Sequence, residues 1–317
     1  MISVKTLVDA AETRIRAHVR ETPLEHSAVL SELSGATVYL KLENLQRTGS
    51  FKVRGAFNRL LSLTERERAC GIVAASSGNH GAAVALGMSV CRVKGVIFVP
   101  QTASRTKVEK IRRLGGDVRT AGDDSGATEV FARGYAADRN MTYISPYNDE
   151  TVIAGQGTIG AEVARQLPSI EAIVASVGGG GLISGVAGYL KAVKPSTIAI
   201  GVSARNSMAM SESVRAGRIV ETTHRETLSD GTAGGVEPGA ITFGLCRTLV
   251  DEFVDIEEAD IRSALSLFIE SHAMLCEGAA ALAIGGLLAA KDLLRGKVVA
   301  VIICGANIAA DKLKAAL

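Results

Sequence analysis

Tryptophan is absent from the 317 residues, and aromatic residues make up only 4% of the chain. Proteins that bind single-stranded nucleic acid usually stack bases on such side chains. The charge is also nearly balanced, with 35 Lys and Arg against 33 Asp and Glu. No basic block is long enough to follow a phosphate backbone. We therefore expect no nucleic-acid partner.

Cysteine pairs and long apolar runs are missing as well. The five cysteines form no C-x-x-C pair, which is typical of reduced thiols in a cytoplasmic protein rather than of a disulfide framework or a zinc site. The longest apolar stretch, 278–290, is shorter than the roughly 20 residues that span a bilayer. The N-terminus shows no signal-peptide pattern. We expect a cytoplasmic protein without a membrane partner, and a buried helix at 278–290.

Short apolar runs alternate with amphipathic stretches through most of the chain, and hydrophobic residues reach 47%. Near-continuous Val, Ile and Ala runs separated by helices are typical of parallel sheets covered on both faces. The predicted strands are 37–42, 71–75, 95–99, 117–120, 142–144, 172–177, 199–202, 252–254 and 298–303. The predicted helices are 53–62, 81–88, 104–114, 125–138, 155–166, 182–192, 208–216, 258–272 and 278–288. The pattern therefore predicts an α/β fold.

One lysine, Lys52, follows a Gly-Ser turn in the stretch GSFKVRGA and stands at the start of a predicted helix. A lysine amine becomes a nucleophile when burial or nearby positive charge keeps it neutral, and it then forms Schiff bases with aldehydes. Most lysines are solvated surface charges, so Lys52 alone proves little. Its importance depends on three segments further along the chain.

The first of these segments is the tetraglycine Gly178–Gly181, between a predicted strand and a predicted helix. Bare backbone N–H groups at a helix start form a natural phosphate site. A glycine turn packed against a neighbouring helix explains the motif equally well. The dinucleotide fingerprint G-x-G-x-x-G fails because its last position is Ile183 or Ser184. An NADP-binding module remains open, since Arg205 follows the next strand and suits a 2′-phosphate.

The second segment reads Ser76-Ser77-Gly78-Asn79-His80 and also lies between a strand and a helix. Two hydroxyls, an amide, an imidazole and helix-start N–H groups suit a substrate carboxylate. Helix capping by Ser77 or Asn79 is the ordinary alternative, although it explains only one polar residue of the run.

The third segment contains Cys304, which ends an apolar strand before Gly305-Ala306-Asn307. A cysteine in this place is usually inert core. Glu277, in the stretch MLCEGA, is likewise open to an ordinary explanation, because acids are favoured at helix N-termini by the dipole.

The four segments, in their order along the chain, resemble the pyridoxal-phosphate enzymes of the serine/threonine dehydratase and serine racemase family, of fold type II. The resemblance runs from about Thr22 to Asn307. It implies two parallel-sheet-centred open α/β domains with the cofactor in the cleft between them. The small inserted domain would be residues 70–148, and the large domain residues 1–69 plus 149–317. The resemblance also implies a homodimer.

The resemblance implies a role for each candidate residue. Lys52 would hold pyridoxal phosphate with Phe51 beside it, and Gly178, Gly179, Gly180 and Gly181 would bind the phosphate. Asn79 would bind the phenolic oxygen, Cys304 would face the pyridine nitrogen, and Glu277 would lie near the ring. Ser76, Ser77, Gly78 and His80 would bind the substrate carboxylate, with Ser77 on the face opposite the lysine. No metal is expected, because residues 203–210 lack the acidic cation ligands of serine racemases.

The implied activity is that of an ammonia-lyase, which converts a small β-hydroxy amino acid such as L-threonine or L-serine to a 2-oxo acid and ammonia. A neutral Cys304 makes the ring a weaker electron sink and favours β-elimination. The alternatives are a racemase of the same fold, with Ser77 as second base, and a non-catalytic nucleotide-binding module. Threonine, serine, 3-hydroxyaspartate and an osmolyte-derived hydroxy amino acid all remain open as substrates.

Overall fold

The computed structural model describes residues 3–317, and the strands in that range form two separate sheets. The strands are β1 (Leu24–His26), β2 (Thr37–Lys41), β3 (Ile72–Ala75), β4 (Gly95–Val99), β5 (Val118–Thr120), β6 (Thr142–Tyr143), β7 (Ala172–Ser176), β8 (Ile198–Ala204), β9 (Glu252–Ile256) and β10 (Val298–Ile302). All nine predicted strands are present as β2 to β10. The short edge strand β1 was not predicted.

Helices surround both sheets. They are α1 (Val4–Ile15), α2 (Ala28–Ser34), a 3-10 turn η1 (Glu43–Leu45), α3 (Lys52–Leu61), α4 (Glu65–Cys70), α5 (Asn79–Cys91), α6 (Arg105–Arg113), α7 (Ser125–Asp138), α8 (Glu150–Gln166), α9 (Gly181–Val193), α10 (Ala209–Ala216), α11 (Ile241–Leu249), α12 (Glu258–His272), α13 (Gly278–Ala289), α14 (Lys291–Leu294) and α15 (Ala310–Ala316). Helix α8 begins five residues before its predicted start because the side chain of Asp149 caps it, accepting from the backbone N–H of Val152 at 2.9 Å.

The larger sheet has the strand order β1-β2-β10-β7-β8-β9. Neighbouring strands in this sheet are parallel, except that β1 and β2 pair antiparallel. The central strand β7 is buried along its whole length, as expected for a parallel strand covered on both faces. Helix α13 is buried from Gly278 to Leu287, which confirms the buried helix predicted from the apolar stretch.

The smaller sheet has the order β5-β4-β3-β6, and all its strands are parallel. Its strands come from residues 72–143, whereas the strands of the larger sheet come from both sides of that range. The predicted architecture of two open parallel-sheet units is therefore confirmed. The boundaries at residues 70 and 148 stay a prediction.

Helix α3 lies between the two sheet units, where it packs against both α8 and α5. Lys52 is its first residue, so the lysine stands where the units meet. The carboxyl ends of β3, β7 and β10 lead into the Ser76 loop, the glycine loop and Cys304 respectively. Ligands of open α/β sheets bind at such carboxyl edges. In residues 3–317, no helix is both long enough and apolar enough to cross a membrane.

Candidate active site

The turn before Lys52 is attached to the end of β10. Gly49 has φ +76°, a conformation that suits glycine, and it allows the chain to reverse before Ser50. Ser50 and Gly305 then form an antiparallel bridge, and the backbone N–H of Phe51 donates to the carbonyl oxygen of Cys304 at 3.0 Å. Two segments about 250 residues apart in sequence are therefore held in register.

The amine of Lys52 points toward the smaller sheet unit. Its Nζ donates to the carbonyl oxygen of Pro146 at 2.8 Å and lies 5.1 Å from the centre of the Phe51 ring. Burial lowers the pKa of Lys52 to about 8, against smaller opposing contributions from Cys304 and Glu277. This amine is therefore largely protonated at pH 7, but it gives up its proton far more readily than a surface lysine.

The glycine loop lies directly after β7 and ends at the start of α9. Gly180 has φ +85°, and a Cβ added at Gly179 would collide with the ring of Tyr147. Within the described part of the chain, the backbone N–H groups of residues 178–183 donate to no protein acceptor. Free N–H groups at a helix start attract an anion, so the loop has the chemistry of a phosphate cradle.

The Ser76 loop presents a second set of free donors. Helix α5 has Gly78 as its N-cap and shows no side-chain cap, so neither Ser77 nor Asn79 has the capping role considered above. Across residues 3–317, the N–H groups of Ser77, Asn79 and His80 and the Ser77 hydroxyl have no protein acceptor or donor. These donors suit a carboxylate.

His80 is turned away from the free N–H groups of its loop. Its Nε2 lies 2.9 Å from the carbonyl oxygen of Ile144, while its buried Nδ1 has no partner in the described structure. Burial, assisted by the charge of Lys52, lowers the pKa of His80 to about 3, so the ring stays neutral. The predicted contact of His80 with substrate stays a prediction.

Glu277 is the acceptor for several groups at once. Both of its carboxylate oxygens accept from Nδ2 of Asn79 at 3.0 Å, and Oε2 also accepts from the backbone N–H of Asn307 at 3.1 Å. Burial raises the pKa of Glu277 to about 7, although the Asn79 hydrogen bonds oppose this. Glu277 is the N-cap of α13, so the helix dipole also favours an acid at this position, although the carboxylate caps no N–H of that helix.

Cys304 is buried between two polar groups. Its Sγ donates to Oε1 of Glu277 at 3.7 Å and accepts from Oγ of Ser176 at 3.8 Å. Burial raises the pKa of the Cys304 thiol well above its usual value, and the nearby Glu277 adds to the effect. The thiol is therefore neutral at physiological pH.

Three residues that were not predicted from the sequence also contact the candidate site. Tyr147 packs on Gly179, while the preceding Pro146 binds Lys52, so one dipeptide touches both the lysine and the glycine loop. Lys110, on α6, donates to Asn307, whose amide in turn donates to Asn79. Tyr147 could have been predicted as a site residue, because it follows the carboxyl end of β6. Nothing in the sequence indicated Lys110, because it lies on a charged surface helix.

The match to known proteins covers nearly the whole chain. Residues 15–305 match the family described as pyridoxal-phosphate dependent enzymes. The chain belongs to this family. It is 41% identical over 314 residues to the L-threonine ammonia-lyase of Thermotoga maritima, covering 97% of this chain and 76% of the relative. It is 36% identical over 311 residues to the catabolic L-threonine dehydratase TdcB of Escherichia coli K12, covering 97% and 93%.

Solved structures of this pyridoxal-phosphate enzyme family share the fold. Maize serine racemase superposes with a TM-score of 0.92 at 28% identity, covering 98% of this chain and 95% of that one. The processed form of threonine deaminase isoform 2 from Solanum lycopersicum gives a TM-score of 0.91 at 34% identity, covering 98% and 92%. The predicted family, the fold type II architecture and the pyridoxal-phosphate cofactor are confirmed.

The residues present fit this cofactor. A half-buried lysine with a lowered pKa suits the aldehyde, and the free N–H groups of residues 178–183 suit the phosphate. The free N–H groups form two separate sets, one after a strand of each sheet. Two different anions could therefore bind, one at each set. Between residues 3 and 317, no group of three or more His, Cys, Asp or Glu side chains is arranged to hold a metal.

Proposed function

We propose that this enzyme is an ammonia-lyase that converts a small β-hydroxy amino acid, of the L-threonine or L-serine type, to a 2-oxo acid and ammonia. The observation that carries the proposal is the placement of Lys52, a readily deprotonated amine where the two sheet units meet, each of which carries a helix start with free N–H groups. The relatives named as threonine ammonia-lyase and dehydratase support it.

Lys52 would first hold the cofactor and then act as general base. When bound, pyridoxal phosphate supplies an electron sink that makes the α-proton of an amino acid acidic. The buried amine of Lys52 would remove that proton, because its lowered pKa keeps a useful fraction neutral near physiological pH. The carbonyl of Pro146 would receive the protonated amine, as it does in the structure.

The two sets of free N–H groups would orient the reactants. The loop Gly178–Gly181 would hold the phosphate, and the loop 76–80 would hold the substrate carboxylate, so the α-carbon is placed between them. Asn79 would donate to the phenolic oxygen of the cofactor, and Phe51 would pack beside Lys52. These assignments follow the family resemblance and are supported by the free donors.

The neutral thiol of Cys304 would decide between elimination and racemisation. A thiol that does not ionise cannot hold the pyridine nitrogen protonated, so negative charge on the α-carbon is stabilised less and the β-hydroxyl leaves before a proton returns. Racemisation is the second candidate activity. The unpartnered hydroxyl of Ser77 and the similarity to maize serine racemase favour it.

We further propose the domain limits and assembly that the family resemblance implies. Residues 70–148 would form the inserted small domain, and residues 1–69 plus 149–317 the large domain, supported by the sheet strands that each range contains. The protein would work as a homodimer. It would act in the cytoplasm, which its unpaired cysteines support.

The deciding experiment combines a spectrum with an assay. The purified protein is expected to show an absorption band at about 410–420 nm from a lysine-bound cofactor. It is also expected to release 2-oxo acid from at least one member of a panel of L-threonine, L-serine and 3-hydroxyaspartate. A protein that shows nucleotide-dependent thermal stabilisation and no such band would instead be a nucleotide-binding module.

A further inference from the structure

Lys110 differs from the other basic side chains of α6. Helix α6 carries three basic residues in its last turn and is mostly exposed, as expected for a solvated surface helix. Lys110 instead extends from this helix to the segment that follows β10, where its Nζ donates to Oδ1 of Asn307 at 2.5 Å and to the carbonyl oxygen of Thr48 at 3.4 Å. It is half-buried there.

The contact with Lys110 determines how two amides are oriented. An ammonium group only donates, so the oxygen of the Asn307 amide must face Lys110. The nitrogen of Asn307 then faces Asn79, and its Nδ2 donates to Oδ1 of Asn79 at 2.6 Å. The nitrogen of Asn79 must consequently point the other way, where it donates to Glu277.

The hydrogen bonds therefore run in one direction, from Lys110 through Asn307 and Asn79 to Glu277. A donor-only group begins this chain, and a carboxyl group whose two oxygens both accept from Asn79 ends it. The carbonyl oxygen of Thr48 supports the same arrangement, since it accepts from Nδ2 of Asn307 at 2.9 Å. Both oxygens of Glu277 lie 3.0 Å from Nδ2 of Asn79, and because the two oxygens of one carboxyl group are close together, one N–H can serve both. The second N–H of Asn79 then has no protein partner in the described structure.

We propose that Lys110 is a positioning residue, which holds the Asn79 amide through Asn307 so that an N–H of Asn79 faces the phenolic oxygen of the cofactor. The inference rests on the proposed function, in which Asn79 contacts that oxygen. Without Lys110 the oxygen of Asn307 loses its donor, so the arrangement with both amides turned over becomes more populated, although Thr48 and Glu277 still oppose it. The cofactor then meets a carbonyl in place of an N–H, which weakens its binding and changes its absorption.

Lys107 supplies a matched control on the same helix. It lies one turn before Lys110, and its Nζ also extends away from α6, to Oδ2 of Asp230 at 3.1 Å. It makes no hydrogen bond to Asn307 or Asn79. Lys107→Met removes one positive charge and one contact with the larger sheet unit but leaves the directed hydrogen bonds intact.

The test compares the holoenzyme of the wild type with Lys110→Met, Lys110→Arg and Lys107→Met. For each protein, the absorption spectrum, the rate of cofactor loss on dilution, the melting temperature, and kcat and KM for the best β-hydroxy amino acid are measured. Lys110→Met is expected to shift the cofactor band and to release the cofactor roughly fivefold to tenfold faster, which corresponds to one weakened charge-assisted hydrogen bond. Lys110→Arg keeps a donor and is expected to restore part of the wild-type absorption and part of the wild-type cofactor retention. Lys107→Met is expected to match the wild type.

A second variant keeps the inference testable if Lys110→Met does not fold. Asn307→Asp retains the acceptor for Lys110 but has no N–H for Asn79, and it is expected to shift the same band. If the wild type is active and Lys110→Met and Lys107→Met have the same spectrum and the same rate of cofactor release, the inference is overturned and the proposed function stands. A wild type without the cofactor band would overturn both.

Discussion

The amine of Lys52 lies 2.8 Å from the carbonyl oxygen of Pro146, a residue 94 positions later in the chain. The contact joins the start of α3 to the loop that follows β6. The next residue, Tyr147, packs on Gly179, and its hydroxyl accepts from the backbone N–H of Glu237 at 3.0 Å. A change in the position of this loop would therefore alter the contacts of the lysine and of the glycine loop together.

Removal of the lysine amine is the first test of the proposed reaction. Lys52→Ala is expected to abolish both the cofactor absorption band and 2-oxo acid release, because the same amine is proposed to be anchor and base. Lys107→Ala, on the surface helix α6, serves as the control and is expected to retain both the absorption band and 2-oxo acid release. A Lys52→Ala protein that still forms a borohydride-reducible cofactor adduct would contradict the assignment.

The pH dependence of cofactor uptake follows from the lowered pKa of Lys52. Only the neutral amine attacks an aldehyde, and the pKa of this amine is about 8 rather than the ordinary 10.5, because of burial. The rate of pyridoxal-phosphate uptake by cofactor-free protein is therefore expected to rise with pH around a midpoint of about 8. Stopped-flow absorbance measures this rate, and a midpoint near the ordinary value would contradict a buried amine.

The same shift carries a stability consequence with a defined sign. The folded protein holds its Lys52 proton less tightly than the unfolded chain does, so the folded state binds fewer protons between pH 8 and 10.5. The contribution of Lys52 to the free energy of unfolding of the cofactor-free protein therefore increases as pH rises through that window. Below pH 8 the destabilisation by this buried charge is fully present.

Gly179→Asp tests the phosphate cradle. The added Cβ would collide with the ring of Tyr147, and the carboxylate would enter the free N–H groups that an anion is proposed to occupy. We expect at least a tenfold loss of cofactor affinity, about 1.4 kcal/mol or more, measured as cofactor retained after dialysis. The control is Gly244→Asp on α11, where an added Cβ would meet no atom within 4 Å. Equal retention by the two variants would argue against the cradle.

The sequence predicted the central strands well, because parallel strands covered on both faces form unbroken apolar runs. Strand β1 was missed since it has three residues, pairs only with β2 and is partly exposed. The candidate loops were found because each has glycine directly after a strand, accompanied by polar residues in the Ser76 loop. The link from Lys110 to Asn307 could not be found, because the two residues are 197 positions apart and a lysine on a charged helix ordinarily faces water.

A buried charge cluster beneath the Lys52 helix gives a stability prediction. Arg54 is fully buried and pairs with Glu43 at 2.8 Å and with Glu162 at 2.7 Å. Arg54→Met would leave both carboxylates without this partner, so we expect a loss of about 3–5 kcal/mol in the free energy of unfolding. The control is Arg59→Met on the same helix, whose partly exposed ion pairs contribute about 0–1 kcal/mol. Denaturant unfolding measures both, and equal effects would contradict the role of the cluster.

Ser77→Ala separates elimination from racemisation. Racemisation requires a proton donor on the face opposite Lys52, whereas elimination requires the lysine and a departing hydroxyl. The Ser77 hydroxyl has no protein partner in the described structure, so its removal is expected to leave the melting temperature unchanged. The neutral thiol of Cys304 favours departure of the hydroxyl before a proton returns, so the wild type is expected to release mainly 2-oxo acid.

The Ser77→Ala variant should accordingly lose turnover of the D-isomer by at least about tenfold while its elimination of the L-isomer falls only about twofold to threefold. Chiral chromatography of the amino acid pool, beside a coupled assay for 2-oxo acid, measures both reactions in one sample. Ser176→Ala is a companion variant, because it removes the hydroxyl that donates to Cys304 and leaves Ser77 in place. If the wild type accumulates D-amino acid faster than 2-oxo acid, the enzyme is a racemase, and the neutral thiol does not set the outcome of the reaction.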